Sequence, residues 1–191
     1  MMLVEGSLRV IHVTTHIALR DACNLIKQER VLSVIRLAHN ACQQLGIRSP
    51  RIAVAGLNPH ASDGGLFGRE EEREIIPAIR AAKQQGLCVA GPLPADTLFS
   101  QAMGGAYDIV VAMYHDQGHI PVKLCGFKWD QRGKKWKSVS GINITVGLPI
   151  IRVSVDHGTA FDQAGKGTAS EESMLAAIRY AALMAEHRRR S

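Results

Sequence analysis

Three times along this chain a short apolar run breaks off into a polar loop that carries a histidine. Leu8–Val13 runs into Thr14-Thr15-His16, Arg51–Ala55 into a loop holding His60, and Ile109–Met113 into Tyr114-His115-Asp116-Gln117-Gly118-His119. Short apolar runs of this kind are what buried parallel strands show. In open α/β sheets, ligands and catalytic groups collect just past the carboxyl ends of the strands. The repetition therefore predicts an α/β/α domain with a mixed, largely parallel sheet and His16, His60 and His115 along one edge. Taken alone, Asp108–His119 reads equally as a solvated loop whose His and Asp cap the next helix. Taken together, three imidazoles suit a catalytic divalent metal such as Zn²⁺, Mn²⁺ or Co²⁺, with Asp116 as co-ligand or orienter.

Between these runs the period changes. Val31, Val34, Ile35, Ala38, Ala41, Cys42 and Leu45 recur at helical spacing and stop at Gly46, and His39 falls off that stripe, which predicts a surface position. The loop 56–68 is rich in glycine but matches neither GxxxxGK[ST] nor GxGxxG. Glu70–Glu72 suits the start of a helix that carries Ile75, Ile76 and Ile79, with Pro77 implying a kink or a later start. Leu87–Ala90 predicts a strand, Gly91–Asp96 a turn-rich connection, and Asp96 an N-cap for Thr97–Met103. Lys128–Lys137 predicts an exposed hairpin with Gly133 at its tip. Ile142–Val146 alternates, placing Asn143 and Thr145 on one face. Arg152, inside the strand Ile150–Val155, asks for an anion, either a protein carboxylate or a substrate group. In Asp156–Ser170, Gly158, Gly165 and Gly167 permit close backbone approach, and His157, Thr159, Asp162 and Lys166 offer groups to ribose, phosphate or adenine. Ser170 caps a last helix whose apolar residues include Met174, Leu175, Ile178, Ala182 and Met184.

Composition narrows the class. With 191 residues, 46% hydrophobic and 21% charged, the chain has material for a substantial core. The net charge of +6 is concentrated in Lys128–Lys137 and His187–Arg190, and aromatics are too few for a nucleic-acid platform, so the positive charge points to an anionic small molecule. Cys23, Cys42, Cys88 and Cys125 form no CxxC pair, which predicts reduced thiols and a cytoplasmic protein. No apolar run approaches the roughly 20 residues that span a bilayer, and the start of the chain lacks a signal-peptide pattern, so no membrane partner is expected.

The motifs together resemble the 4-hydroxythreonine-4-phosphate dehydrogenase (PdxA) family. The matching stretches are Thr14–His16 with Leu19–Asp21, Gly56–Ala61, Gly91–Thr97, Ala112–Gly118, Asn143–Thr145 with Gly147–Pro149, and Ser154–Ala160, in the family's order over nearly the whole chain. The long Lys128–Ser140 excursion is similar to relatives that act on D-threonate or D-erythronate 4-phosphate rather than to the vitamin B6 (pyridoxine) branch. The resemblance implies a homodimeric, cytoplasmic, metal-dependent dehydrogenase that uses NAD or NADP on a 4-phosphorylated hydroxy acid, with decarboxylation following. It implies His16, His60 and His115 as ligands of Zn, Mg, Mn or Co, with His16 and His60 meeting in one subunit and His115 coming from the other. Lys123, Asn143 and Arg152 would bind substrate, with Lys123 and Asp116 catalytic. His157, Gly158, Thr159, Ala160, Asp162 and Lys166 would bind the cofactor, in a loop similar to that of isocitrate and isopropylmalate dehydrogenases, whose fold the family shares.

By the same resemblance, residues 1–191 correspond to the family's C-terminal portion, one domain without the N-terminal part. The apolar residues Leu3, Val4, Leu8 and Val10 are then expected to form an exposed patch. Two other readings stay open: a non-catalytic dimerising or interaction domain, and hydrolysis at a three-histidine metal site.

Overall fold

A computed structural model describes residues 1–132, 135–159 and 161–190, without the side chains of residues 130, 135–139, 162 and 190. The strands are β1 (Met2–Glu5), β2 (Leu8–His12), β3 (Ile52–Ala55), β4 (Val89–Leu93), β5 (Ile109–Ala112), β6 (Phe127–Asp130), β7 (Lys135–Val139), β8 (Ile142–Thr145) and β9 (Arg152–Val155). The helices are α1 (Leu19–Leu25), α2 (Gln28–Gln44), α3 (Ile76–Gln84), α4 (Ala95–Met103), α5 (His115–Gly126) and α6 (Glu172–Arg190). Seven strands form one sheet in the order β4-β3-β5-β2-β1-β8-β9, and β6-β7 form a separate hairpin. The pairs β3-β4, β3-β5 and β2-β5 are parallel, and the pairs made by β1, β8 and β9 are antiparallel. The mixed three-layer arrangement is the one the sequence predicts.

The alternation of side chains sorts the two faces. Ile52, Val54, Ile109 and Val111 point to the layer of α2, α3 and α6, where they pack with Val31, Val34, Ile35, Ile79 and Met184. Ala53, Ala55, Val110 and Ala112 point the other way, to Leu98 and Phe99 of α4 and Val122 of α5. Large side chains fill one interlayer space, and smaller ones let α4 and α5 come close on the other. Each fully buried Leu, Ile or Val contributes about 1.5–3 kcal/mol.

Several local expectations are corrected. Leu3, Val4, Leu8 and Val10 form no exposed patch; none is more than 2% exposed. The reason is β1, which was not expected: it inserts between β2 and β8 and covers the edge that would have been open. Residues Gly91–Leu93 continue β4 instead of turning, and α4 starts at Ala95, so Asp96 sits in its first turn and Pro94 takes the cap. His39 is half-buried, with Nδ1 out of reach of any partner. A single π turn, Glu71–Ile75, precedes α3, which begins with Pro77 in its first turn, the later start that proline implied. The hairpin is present, with its expected tip, Gly133, outside the described residues. Among the described residues no helix is long and apolar enough to cross a membrane.

Candidate active site

The strand order places three parallel strands side by side, β3-β5-β2, with β5 in the middle. His60, His115 and His16 follow their respective carboxyl ends. Beyond β2 the ladder continues through Val13 N–H to Ala112 O (2.8 Å) and Thr14 N–H to Met113 O (3.2 Å), and the Thr14 hydroxyl also donates to Met113 O (2.8 Å). This extension carries His16 alongside the start of α5, where its ring lies 5.5 Å from that of His115 between centroids. The ring that His16 meets is thus His115 of the same chain. The His60 ring lies 6.2 Å from that of Phe67. β5 lies between the strands that lead to His16 and His60, so the two histidines approach the site from either side of the strand that leads to His115.

His115 is oriented from two sides. Its Nδ1 lies 2.6 Å from Asp116 Oδ1, so Nδ1–H donates to the carboxylate and Nε2 is left with its lone pair. His119, one turn along α5, stacks on it at 3.6 Å with 11° between the planes, and His119 Nδ1–H donates to the His115 carbonyl (2.9 Å). Behind His119, at 4.7 Å, lies His12, 2% exposed and with no hydrogen-bond partner on either ring nitrogen. Burial pushes the His12 imidazolium down to about 3, helped by His119, the chain N-terminus and His115, with the Met1 backbone opposing the fall. Burial also lowers His119. Four imidazoles therefore run in a row from the core to a surface pocket of about 460 Å³, lined by His16, Ile17, Leu19, Tyr114, His115 and Asp116. The sequence reading passed over His12 and His119. The signals were there: His12 continues the two-residue period of Leu8 and Val10, and His119 lies four residues from His115, one helical turn away.

His60 sits in a turn of the wrong hand. Residues His60, Ala61, Ser62 and Asp63 have φ of 53°, 51°, 67° and 45°, followed by Gly64 at 70°. Left-handed backbone costs about 1–2 kcal/mol per non-glycine residue. The base of the turn is held by acids: Glu71 accepts from Leu57 N–H and Asn58 N–H (2.7 Å each), and Asn58 Nδ2 donates to both Glu70 and Glu71 (2.8 Å). The Asn58 amide beside Glu70 holds that carboxyl below its ordinary value.

The substrate-binding candidates share the α5 side of the sheet. Leu3, which packs with Val122, pairs with Asn143, Asn143 pairs with Ser154, and Thr145 pairs with Arg152, so all these residues face one way. Arg152 donates its hydrogen bond to a neutral group, Thr145 Oγ1 (2.7 Å). Among the described residues neither Arg152 nor Lys123 forms a salt bridge. Asn143 Oδ1 is buried without a partner among the described residues, and Lys123 Nζ lies 5.0 Å over the Phe127 ring. Asp156 completes the face: burial raises its carboxyl against the pull of Lys123, and its Oδ2 has no partner among the described residues.

The cofactor candidates lie after β9. His157, Gly158, Thr159 and Lys166 are exposed, and His157 Nδ1–H donates to the Gly158 carbonyl (2.9 Å). Gly165 and Gly167 have φ of 73° and 63° with open space at their Cα, so the loop offers backbone to a ligand from outside. Ala160 and the side chain of Asp162 lie outside the described residues.

Among the described residues no group of three His, Cys, Asp or Glu side chains is close enough to hold a metal ion. The donor set of His16 and His115, with Asp116 fixing the tautomer of the latter, nonetheless fits two positions of a divalent cation site.

Comparison with known proteins adds the family and the frame. Residues 1–181 match the family model described as pyridoxal phosphate biosynthetic protein PdxA. A protein of Bradyrhizobium diazoefficiens named putative D-threonate 4-phosphate dehydrogenase is 55% identical over 185 residues, 97% of this chain and 54% of its own length. The D-threonate 4-phosphate dehydrogenase of Cupriavidus necator is 56% identical over 189 residues, 98% of this chain and 54% of its own. The crystal structure of 4-hydroxythreonine-4-phosphate dehydrogenase from Klebsiella pneumoniae superposes with a TM-score of 0.80 at 48% identity, covering 96% of this chain and 53% of that one. The chain spans about half the length of the curated relatives it matches.

Proposed function

We propose, from the premise that this chain belongs to the PdxA family, that it carries the cation-binding and substrate-anion-binding part of a cytosolic NAD(P)-linked dehydrogenase for a 4-phosphorylated hydroxy acid. D-threonate 4-phosphate and 4-hydroxythreonine 4-phosphate are the named substrates of its relatives. The observation that carries the reading is the His115 ring, tied by Nδ1 to Asp116 and set 5.5 Å from the His16 ring in the wall of the same pocket. When bound, the cation supplies Lewis acidity at the substrate hydroxyl oxygen, the nicotinamide supplies a hydride acceptor, and the oxidised acid then loses carbon dioxide.

The chain's own residues do the rest. Arg152, which forms no salt bridge among the described residues, holds the phosphate or carboxylate of the substrate. Asn143 Oδ1, otherwise orphaned, accepts from a substrate hydroxyl or amine. Lys123 and Asp116 handle protons, Lys123 at the substrate and Asp116 by holding the His115 tautomer. His157, Gly158, Thr159, Ala160, Asp162 and Lys166 form the cofactor loop in this reading.

His60 is the third cation ligand in this reading, and the protein works as a homodimer whose active sites are shared. The support for a dimer is an apolar face on the helix that His115 begins. Ile120 and Leu124, one turn apart on α5, are 57% and 76% exposed, and Met103 of α4, 51% exposed, touches Cys125 of α5 through sulfur (3.3 Å). A copy packed there would bring its side chains beside the pocket, which accounts for a ligand set that one chain leaves incomplete.

The test is NADH formation from D-threonate 4-phosphate by the chain with Co²⁺ or Mg²⁺, alone and with the N-terminal half of a relative added. Turnover that disappears with chelator is the expected result. Absence of turnover in both mixtures, with the dimer intact, would favour the interaction-domain reading.

A further inference from the structure

The turn that carries His60 contains every non-glycine residue of positive φ among the described residues. Four such residues in succession do not persist without a frame that overrides their preference. The frame here is two buried polar side chains. Glu71, 1% exposed, accepts from the backbone N–H groups of Leu57 and Asn58 with one oxygen and from Asn58 Nδ2 with the other. Gln117, 9% exposed, donates Nε2–H to the Gly56 carbonyl (2.7 Å) and accepts from Met113 N–H (2.6 Å). Both converge on Gly56, where a Cβ would meet Ala61 Cα at 2.8 Å and Glu71 Oε1 at 3.2 Å.

The chemistry of the two groups is specific. Three donors converge on Glu71, and only a carboxylate answers all of them as an acceptor; an amide would turn its own N–H groups against one. Gln117 needs both a donor and an acceptor, because it spans from the end of β5 to the loop after β3. It lies two residues past His115, so one side chain ties the His60 turn to the helix that His115 begins. Neither residue lines the pocket.

We propose that Glu71 and Gln117 are positioning residues that keep the His60 turn left-handed and in register with His115, and thereby set the affinity of the site for a divalent cation. The proposal rests on the cation reading given above. The test uses the whole chain with Glu71→Gln, Gln117→Met and, as a control, Asp63→Asn, an exposed carboxylate in the same turn. Hydrogen–deuterium exchange reads the turn, and Co²⁺ titration followed by its visible absorption reads the site. In Glu71→Gln and Gln117→Met, exchange over residues 57–66 is expected to quicken at least tenfold while α2 keeps its protection, and Co²⁺ affinity to fall at least tenfold. Asp63→Asn is expected to change neither. Unaltered exchange in both variants overturns the proposal, as does faster exchange with the Co²⁺ affinity of the wild type retained. If the wild-type chain takes up no Co²⁺ while the variants exchange faster, the cation reading fails and the hold on the turn stands. Should Glu71→Gln lose protection in α2 as well, Gln117→Met decides.

Discussion

At His115 a single carboxylate decides which nitrogen is available. Asp116 is itself exposed, yet its 2.6 Å contact holds the proton on Nδ1 and fixes the ring beside that of His16. Outer partners of this kind are worth 10–100-fold in metal affinity. Asp116→Ala should therefore weaken Co²⁺ binding by about 1.4–2.7 kcal/mol in calorimetry. Asp116→Asn, which keeps an acceptor without the charge, should fall between. His12 gives a prediction about acid. Its value drops from 6.5 free to about 3 in the fold, so between those limits the unfolded chain binds the extra proton. Stability due to this residue is complete above about pH 6.5 and is lost as pH falls towards 3. His12→Leu removes that liability and the two unpartnered nitrogens together. The variant should unfold at a lower pH than the wild type in a circular-dichroism acid titration; an unchanged midpoint would show that His12 takes a proton without unfolding the chain. The motif histidines were legible in the sequence because polar residues arrive so abruptly after apolar runs. Glu71 was not, since one acid among Glu70–Glu72 and Glu74 looks like any other until its burial is known.

Among the elements, α2 and α5 mark the limits of sequence reading. In α2 the apolar stripe alone specifies the buried face, and Val31, Val34, Ile35, Ala38, Ala41 and Cys42 are all within it. In α5 the residues turned inward are Gln117, Gly118, His119, Val122 and Gly126, with Pro121 in mid-helix. No periodicity of hydrophobicity reveals a helix like that, because its inner face is held by hydrogen bonds and close approach instead of apolar burial. Gly118 is where the approach is tightest. A Cβ there would meet Val10 Cγ1 at 2.7 Å and would collide with His12 Nε2. Gly118→Ala should cost about 1–3 kcal/mol through overpacking. At about 2–4 °C per kcal/mol for a chain of this size, thermal melts should show a drop of several degrees. A melting temperature equal to the wild type would mean that α5 can lift from β2 freely.

For the whole molecule, the parallel strands were legible and the sheet's other half was not. Ile109–Met113 announces itself, but β1 is a four-residue strand whose one edge pairs locally with β2 and whose other edge is covered by β8, some 140 residues later. The second, non-local pairing leaves no local signature. The assembled surface has its own consequence at α5. Leu124, 76% exposed, heads the apolar face, so Leu124→Glu should convert a dimer to a monomer in light scattering with its circular dichroism intact. It should also weaken cation binding if the ligand set is completed by a second copy. A wild-type chain that is already monomeric would move the site within one protomer.

The strand order also dictates a timetable. β2 and β3 lie on either side of β5, so a nascent chain makes both flanks before it makes the piece that joins them. Until residue 112 has emerged, β3 has no neighbour towards β2, and its all-buried Ile52–Ala55 presents an unpaired edge. The loops that bear His16 and His60 are synthesised early but stay apart as ends of two unconnected strands. Insertion of one late central strand therefore does two jobs at once: it closes the sheet against self-association and delivers the helix whose His115 meets His16 and whose Gln117 reaches the base of the His60 loop.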